Sequence, residues 1–129
     1  MERRKVSAHR PWERVVGYSR AVRVGNTIEV SGTAAAGPDG TILCAGDVEG
    51  QAREALRIIG DALEEAGGSL ADVVRTRVFL ADASTWEEAG RAHGEVFGAI
   101  RPATTFVEVS GFIDPAILVE IEATAILSD

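Results

Sequence analysis

The chain has one cysteine, Cys44, and two histidines, His9 and His93, among its 129 residues. A lone cysteine closes no intrachain disulfide, and neither histidine stands at metal-ligand spacing from it, so Cys44 reads as a small packing residue and no metal site is expected. The sequence also lacks a phosphate-binding glycine loop, a G-x-S-x-G elbow and an H-E-x-x-H pair, which argues against nucleotide, serine-hydrolase and metalloprotease chemistry. No apolar run approaches the ~20 residues of a membrane span. The basic start Met1–Lys5 is not followed by the apolar stretch of a secretory signal, so a cytoplasmic location with no membrane partner is expected. Basic residues are outnumbered 13 to 20, for a net charge of −7. That balance disfavours a phosphate-binding surface, and no nucleic-acid partner is expected. Arg14, Arg20 and Arg23 lie close together as a local basic patch against that balance.

What the chain does have is clear periodicity. Its length suits one domain, residues 1–129, with residues 1–14 as an extended N-terminal segment. Tyr18 to Thr33 reads as a hairpin turning at Gly25-Asn26, with Val22, Val24, Ile28 and Val30 on one parity. Gly37-Pro38-Asp39-Gly40 is a second turn, before a short third strand Thr41–Cys44. From Val48 the spacing becomes helical through Ala66, with Asp47 as N-cap and Gly67-Gly68 as the stop. Val73–Leu80 alternates as a strand. Ser84 and Glu87 match a capping box opening a second helix, whose stripe is Trp86, Ala89, His93, Val96, Phe97 and Ile100 and whose end is set by Pro102. Strands at Thr104–Ser110 and Leu118–Leu127 follow, joined by a loop with Asp114-Pro115. The order βββαβαββ predicts an α+β fold, a mixed sheet with both helices on one face.

Strand parity assigns Val74, Val78, Leu80, Val107, Val109, Val119, Ile121 and Ala123 to the helix-covered face. The opposite face would carry Arg75, Arg77, Phe79, Thr104, Phe106, Glu108, Glu120 and Glu122. That face is either open to water or covered by other subunits, and Phe79 and Phe106 on it favour an oligomer.

Glu120 is the first carboxylate to consider for chemistry. Partial burial would raise its pKa and let it act as a general base, whereas pairing with Arg75 or Arg77 would make it a structural ion pair. Both readings stay open. Tyr18 and Arg20 lie two apart, so a phenol and a guanidinium share one side of a strand and suit a small carboxylate. They also share the parity of Val22 and Val24, and reach a site only if the strand runs past the core or is bulged; otherwise they are surface side chains. His93, on an apolar stripe, reads as a hydrogen-bonded core histidine before it reads as an acid or base. Trp12 and Trp86 read as packing residues, and His9 has no evident role.

Several segments together, Val16-Gly17-Tyr18, Val24-Gly25-Asn26, Val30-Ser31-Gly32, Arg101 to Val109 and Val119 to Ala123, resemble the Rid (YjgF) family of enamine and imine deaminases. The resemblance implies a chorismate-mutase-like fold, a homotrimer with ligand clefts between subunits, and no cofactor. It further implies a small-molecule ligand bearing a carboxylate, Glu120 as the glutamate that positions the attacking water, and Tyr18 and Gly32 as cleft residues. Thr104 stands where deaminating members place a carboxylate-binding arginine, and Phe106 where many have a small or thiol-bearing residue. A hydroxyl gives a weaker and less directional contact than a bidentate guanidinium. The resemblance to a subgroup without that arginine therefore implies a substrate other than the usual 2-imino acids, with Arg20, Arg75 or Arg77 as the replacement cation. A non-catalytic binding or chaperone-like trimer is the alternative. An endoribonuclease, as some relatives are labelled, fits poorly with the acidic composition and the absence of a histidine pair.

Overall fold

The computed structural model describes residues 2–128. Its strands are β1 (Arg3–Val6), β2 (Ala21–Val24), β3 (Thr27–Thr33), β4 (Val73–Leu80), β5 (Ala103–Glu108) and β6 (Val119–Ile126), and its helices α1 (Trp12–Val16), α2 (Val48–Glu65) and α3 (Trp86–Phe97). They form one sheet in the order β1-β2-β3-β6-β4-β5. The β4–β5 pair is parallel, joined through α3, and every other pair is antiparallel. The expected mixed sheet with two helices on one face is the fold observed.

The core follows from the periodicity of these elements. Ala52, Ala55, Leu56, Ile59, Ala62 and Leu63 form the buried stripe of α2 and pack on Ile28, Val30, Val78, Ile121 and Ala123 of the central strands. Asp47 caps α2 as expected, its carboxylate accepting from the Gly50 N–H. At the other end Arg23 donates to the Ala66 carbonyl, so a guanidinium meets the negative end of the helix.

Several expectations are corrected. The third strand before α2 is Arg3–Val6, not Thr41–Cys44, which contributes only an isolated bridge between Ile42 and Ala36. The segment expected to be extended over residues 1–14 is a strand at Arg3–Val6 and enters a short helix at Trp12. Val74 is exposed and Val73 buried, because the β4–β6 register shifts between Val73 and Arg75. No capping box forms at Ser84 and Glu87. Asp82 instead accepts from the Ser84 N–H and hydroxyl in a turn ahead of α3, while Ser69 and Asp72 form a capping box elsewhere. Cys44 is exposed rather than packed, and Trp86 is 57% exposed.

Two parity corrections matter most. The two-residue turn pairs Val24 with Thr27, hence Arg23 with Ile28 and Ala21 with Val30. Paired residues share a face, so Ala21 and Arg23 lie on the helix side with Ile28 and Val30, and Val22 and Val24 lie on the opposite side. Parallel pairing sets Thr104 beside Thr76 and Phe106 beside Val78. Thr104 and Phe106 therefore face the helices, and Val107 faces away.

Candidate functional site

The hairpin correction places Arg20. Being two residues before Val22, it lies on the side away from the helices, and there it meets a bulge in β3. The β3–β6 register pairs Val30 with Ala123 but Thr33 with Ile121, so Ser31 and Gly32 together stand opposite Glu122. The bulge turns the Gly32 carbonyl outward. Arg20 Nη1 donates to that carbonyl at 2.8 Å and to Thr33 Oγ1 at 3.1 Å. Its Cζ sits 5.8 Å from the centre of the Tyr18 ring. Nε and Nη2 of Arg20 have no partner among the described residues, which leaves one edge of the guanidinium open to a bidentate acceptor.

Glu120 comes from the next strand but one. Its Oε1 lies so close to Gly32 that a Cβ built there would stand 2.8 Å away. The carboxylate accepts no hydrogen bond from any described residue, and it lines a cleft of about 620 Å³ together with Tyr18, Arg20, Gly32, Arg10 and Ile113. Burial pushes its pKa above the ordinary glutamate value, and the Arg20 charge pulls it part of the way back. Burial likewise lowers the Arg20 pKa. The expected partners of Glu120 are engaged elsewhere: Arg77 stands 3.7 Å from Glu122, and Arg75 donates to Thr105 Oγ1 at 2.8 Å. Arg20 is thus the cation nearest to this carboxylate's electrostatics.

Because only the tip of a flexible side chain opposes Gly32, and its φ is not in the left-handed range, Gly32→Ala is expected to displace the Glu120 carboxylate rather than unfold the bulge. A 1 Å misplacement of a reacting group costs on the order of 10²-fold. Gly32→Ala should therefore lower any turnover by tenfold or more at nearly unchanged melting temperature; kinetics and calorimetry on one preparation check this.

Thr104 and Phe106, also expected as ligand residues, are not in this cleft. They line a second pocket, of about 590 Å³, with Leu80, Trp86, His93 and Val107. A hydrogen-bonded row runs from His93 Nε2 to Thr76 Oγ1 at 2.8 Å, on to Thr104 Oγ1 at 2.9 Å and to the Pro102 carbonyl at 3.2 Å. The His93 ring packs against Phe97 at 4.7 Å and meets Phe106 edge-on at 5.9 Å. Burial holds its pKa below the usual value. His93 is half-buried and hydrogen-bonded, at the wall of this pocket.

One residue that the sequence reading passed over supports the first cleft. Gln51 is fully buried; its amide donates to the carbonyls of Ala116 and Cys44, and its Oε1 accepts from the Leu118 N–H. These bonds hold the loop that leads into β6 two residues before Glu120. A glutamine within a buried helical stripe was the available signal. Gln51→Leu leaves those groups unpaired and is expected to cost about 1–3 kcal/mol, measured by urea unfolding.

His9 and Trp12 line the first cleft, with Trp12 packed over Gly40. Among the described residues, no group of histidine, cysteine and carboxylate side chains is arranged to hold a metal, and no helix is long and apolar enough to cross a membrane.

Comparison with known proteins agrees with this geometry. The endoribonuclease L-PSP family matches residues 8–127. A solved structure of a YjgF/YER057c/UK114 family member from Mycobacterium tuberculosis superposes with a TM-score of 0.88 at 48% identity, covering 98% of this chain and 100% of its own. The human 2-iminobutanoate/2-iminopropanoate deaminase is 32% identical over 124 residues, 96% of this chain and 90% of that protein. The 3-aminoacrylate deaminase RutC of Acinetobacter baylyi is 33% identical over 108 residues, 84% and 85% of the two chains. The sheet, the two helices and this pattern of relatives together show that the chain belongs to the endoribonuclease L-PSP family, that is, the Rid or YjgF proteins.

Proposed function

We propose that this protein is a cofactor-independent hydrolase that releases ammonia from an enamine or imine, and that it works as a homotrimer. Each active site would combine Tyr18, Arg20, Gly32 and Glu120 of one subunit with Thr104 and Phe106 of its neighbour. The observation that carries the reading is Glu120: a part-buried carboxylate without a hydrogen-bond partner, raised in pKa, beside a guanidinium whose Nε–Nη2 edge is open. A structural ion pair would have closed both groups on each other.

In this reading Arg20 takes the carboxylate that the arginine of other members takes, and Tyr18 lines the same cleft. An enamine first gains a proton on carbon and gives one up from nitrogen, becoming the imine. Glu120 then accepts a proton from water as the water oxygen bonds to the C=N carbon. Glu120 passes that proton to the nitrogen, giving the carbinolamine; it then takes the carbinolamine's hydroxyl proton and delivers it to the nitrogen as the C–N bond breaks, so both protons of the water leave with ammonia and the carbonyl product remains.

The two halves lie in separate pockets of one chain, which supports a site completed between subunits. Val107, 42% exposed on the face away from the helices, and the half-buried Phe79 on the same face would be covered in such an assembly. Light scattering is expected to give three times the 13.6 kDa subunit mass; a mass near one subunit contradicts the shared site. Thr104, in place of the arginine, favours a second reading in which the trimer binds a small molecule without turning it over. Loss of imine over the buffer rate separates the two.

A further inference from the structure

We infer that the pocket between α3 and β5 receives the substrate's side chain and is built for an uncharged aromatic ring. The inference rests on the proposed shared site and adds the substrate class to it. Leu80, Trp86, His93, Thr104, Phe106 and Val107 line the pocket, and no lysine, arginine, aspartate or glutamate is among its lining residues. Thr104 Oγ1 and His93 Nε2 are already engaged. Thr104 Oγ1 lies within hydrogen-bond distance of both Thr76 and the Pro102 carbonyl, and His93 Nε2 is held by Thr76. A carboxylate seated there would lose its hydration and find no cation, whereas the edge of Arg20 remains open in the other half-site.

Two aromatic side chains of this pocket, Trp86 and Phe106, present surface that their packing leaves uncovered. Trp86 is 57% exposed at the pocket's rim although it begins a helix whose other stripe residues are buried or partly buried. Phe106 contacts the core along one side and meets the His93 ring edge-on, leaving pocket surface on its other side. A planar ring entering between Trp86 and Phe106 would have the tilted and edge-on neighbours that aromatic groups prefer. The consequence is a division of labour: Arg20 holds the acid end, Glu120 faces the C=N carbon, and this pocket reads the side chain.

Titration calorimetry of the full-length protein with phenylpyruvate and with pyruvate tests this, since the two 2-oxo acids share the carboxylate and differ by the ring. Phenylpyruvate is expected to bind roughly tenfold to a hundredfold more tightly. Trp86→Ala, at an exposed position that folding tolerates, should shrink that ratio by about fivefold or more, and Phe106→Ser should do the same. Equal affinity for the two acids, binding of neither, or a preference that survives in Trp86→Ala would overturn the inference. Turnover is read separately. An aromatic preference without imine hydrolysis strikes the hydrolase reading alone, and hydrolysis with no aromatic preference strikes this inference alone.

Discussion

Glu120→Gln is expected to lower kcat by roughly 10²- to 10⁴-fold, the range for losing a general base, with the mass in light scattering unchanged. The amide keeps the shape of the carboxylate and breaks no hydrogen bond, since Glu120 makes none with the described residues. Its effect on stability has a definite sign. The folded state holds the Glu120 proton to higher pH than the unfolded chain does, so between those two pKa values the folded form binds more protons and stability falls as pH rises. At neutral pH the ionised, desolvated carboxylate is therefore a cost that glutamine removes, and the variant should melt at a temperature equal to or above that of the parent. Lost activity with retained or increased stability is the signature of a group kept for function. For the same reason kcat/KM in the parent should fall on the acid side at a pH above the ordinary glutamate range.

The second large effect is at Arg20. Arg20→Met removes the carboxylate fork and should lower kcat/KM by about 10²-fold or more, since charge-assisted bonds contribute about 1.5–3 kcal/mol each. It also removes the charge that pulls the Glu120 pKa down, so the acid limb of the rate profile should move to still higher pH. Arg20→Lys keeps the charge without the fork, and is expected to leave the acid limb near its original place while recovering only part of the rate. If instead Arg20 only supports the bulge, through the Gly32 carbonyl and Thr33 hydroxyl, all three proteins would share one pH profile and differ in thermal stability.

The ease of reading the sequence varied with how completely each element is buried. The bounds of β4 and the start of α2 were legible because Thr76, Val78 and Leu80, or Ala52, Leu56, Ile59 and Leu63, are enclosed on one side, so hydrophobic spacing reports the face directly. β1 was missed because an edge strand reading Arg-Arg-Lys-Val carries the charges that keep edges from pairing, and no apolar alternation. β5 is the opposite edge. Its apolar Val107 lies on the outward face, and only the parallel register with β4 turns Thr104 and Phe106 toward the helices. In the hairpin, residue parity was carried across a two-residue turn without the change of face that such a turn imposes.

The grouping of the candidate residues was only partly legible in the sequence. Tyr18, Arg20, Gly32 and Glu120 do meet, through a bulge that adds one residue between Val30 and Thr33 and that no spacing in the sequence announces. Thr104 and Phe106 were assigned to the same cleft and occupy another. Trp86, read as packing, is the exposed aromatic of that second pocket, and Gln51 holds the approach to β6 by contacts more than 60 residues away in sequence.

The most direct test follows the disappearance of freshly generated imines, 2-imino-3-phenylpropanoate and 2-iminopropanoate, and of the enamine 2-aminomuconate, with the parent protein, with Glu120→Gln and with buffer alone. The expected result is acceleration of at least one substrate by the parent protein and a rate indistinguishable from buffer with Glu120→Gln. No acceleration of any of the three by the parent, or equal acceleration by both proteins, would contradict the assignment of Glu120 as the base of an enamine or imine hydrolase.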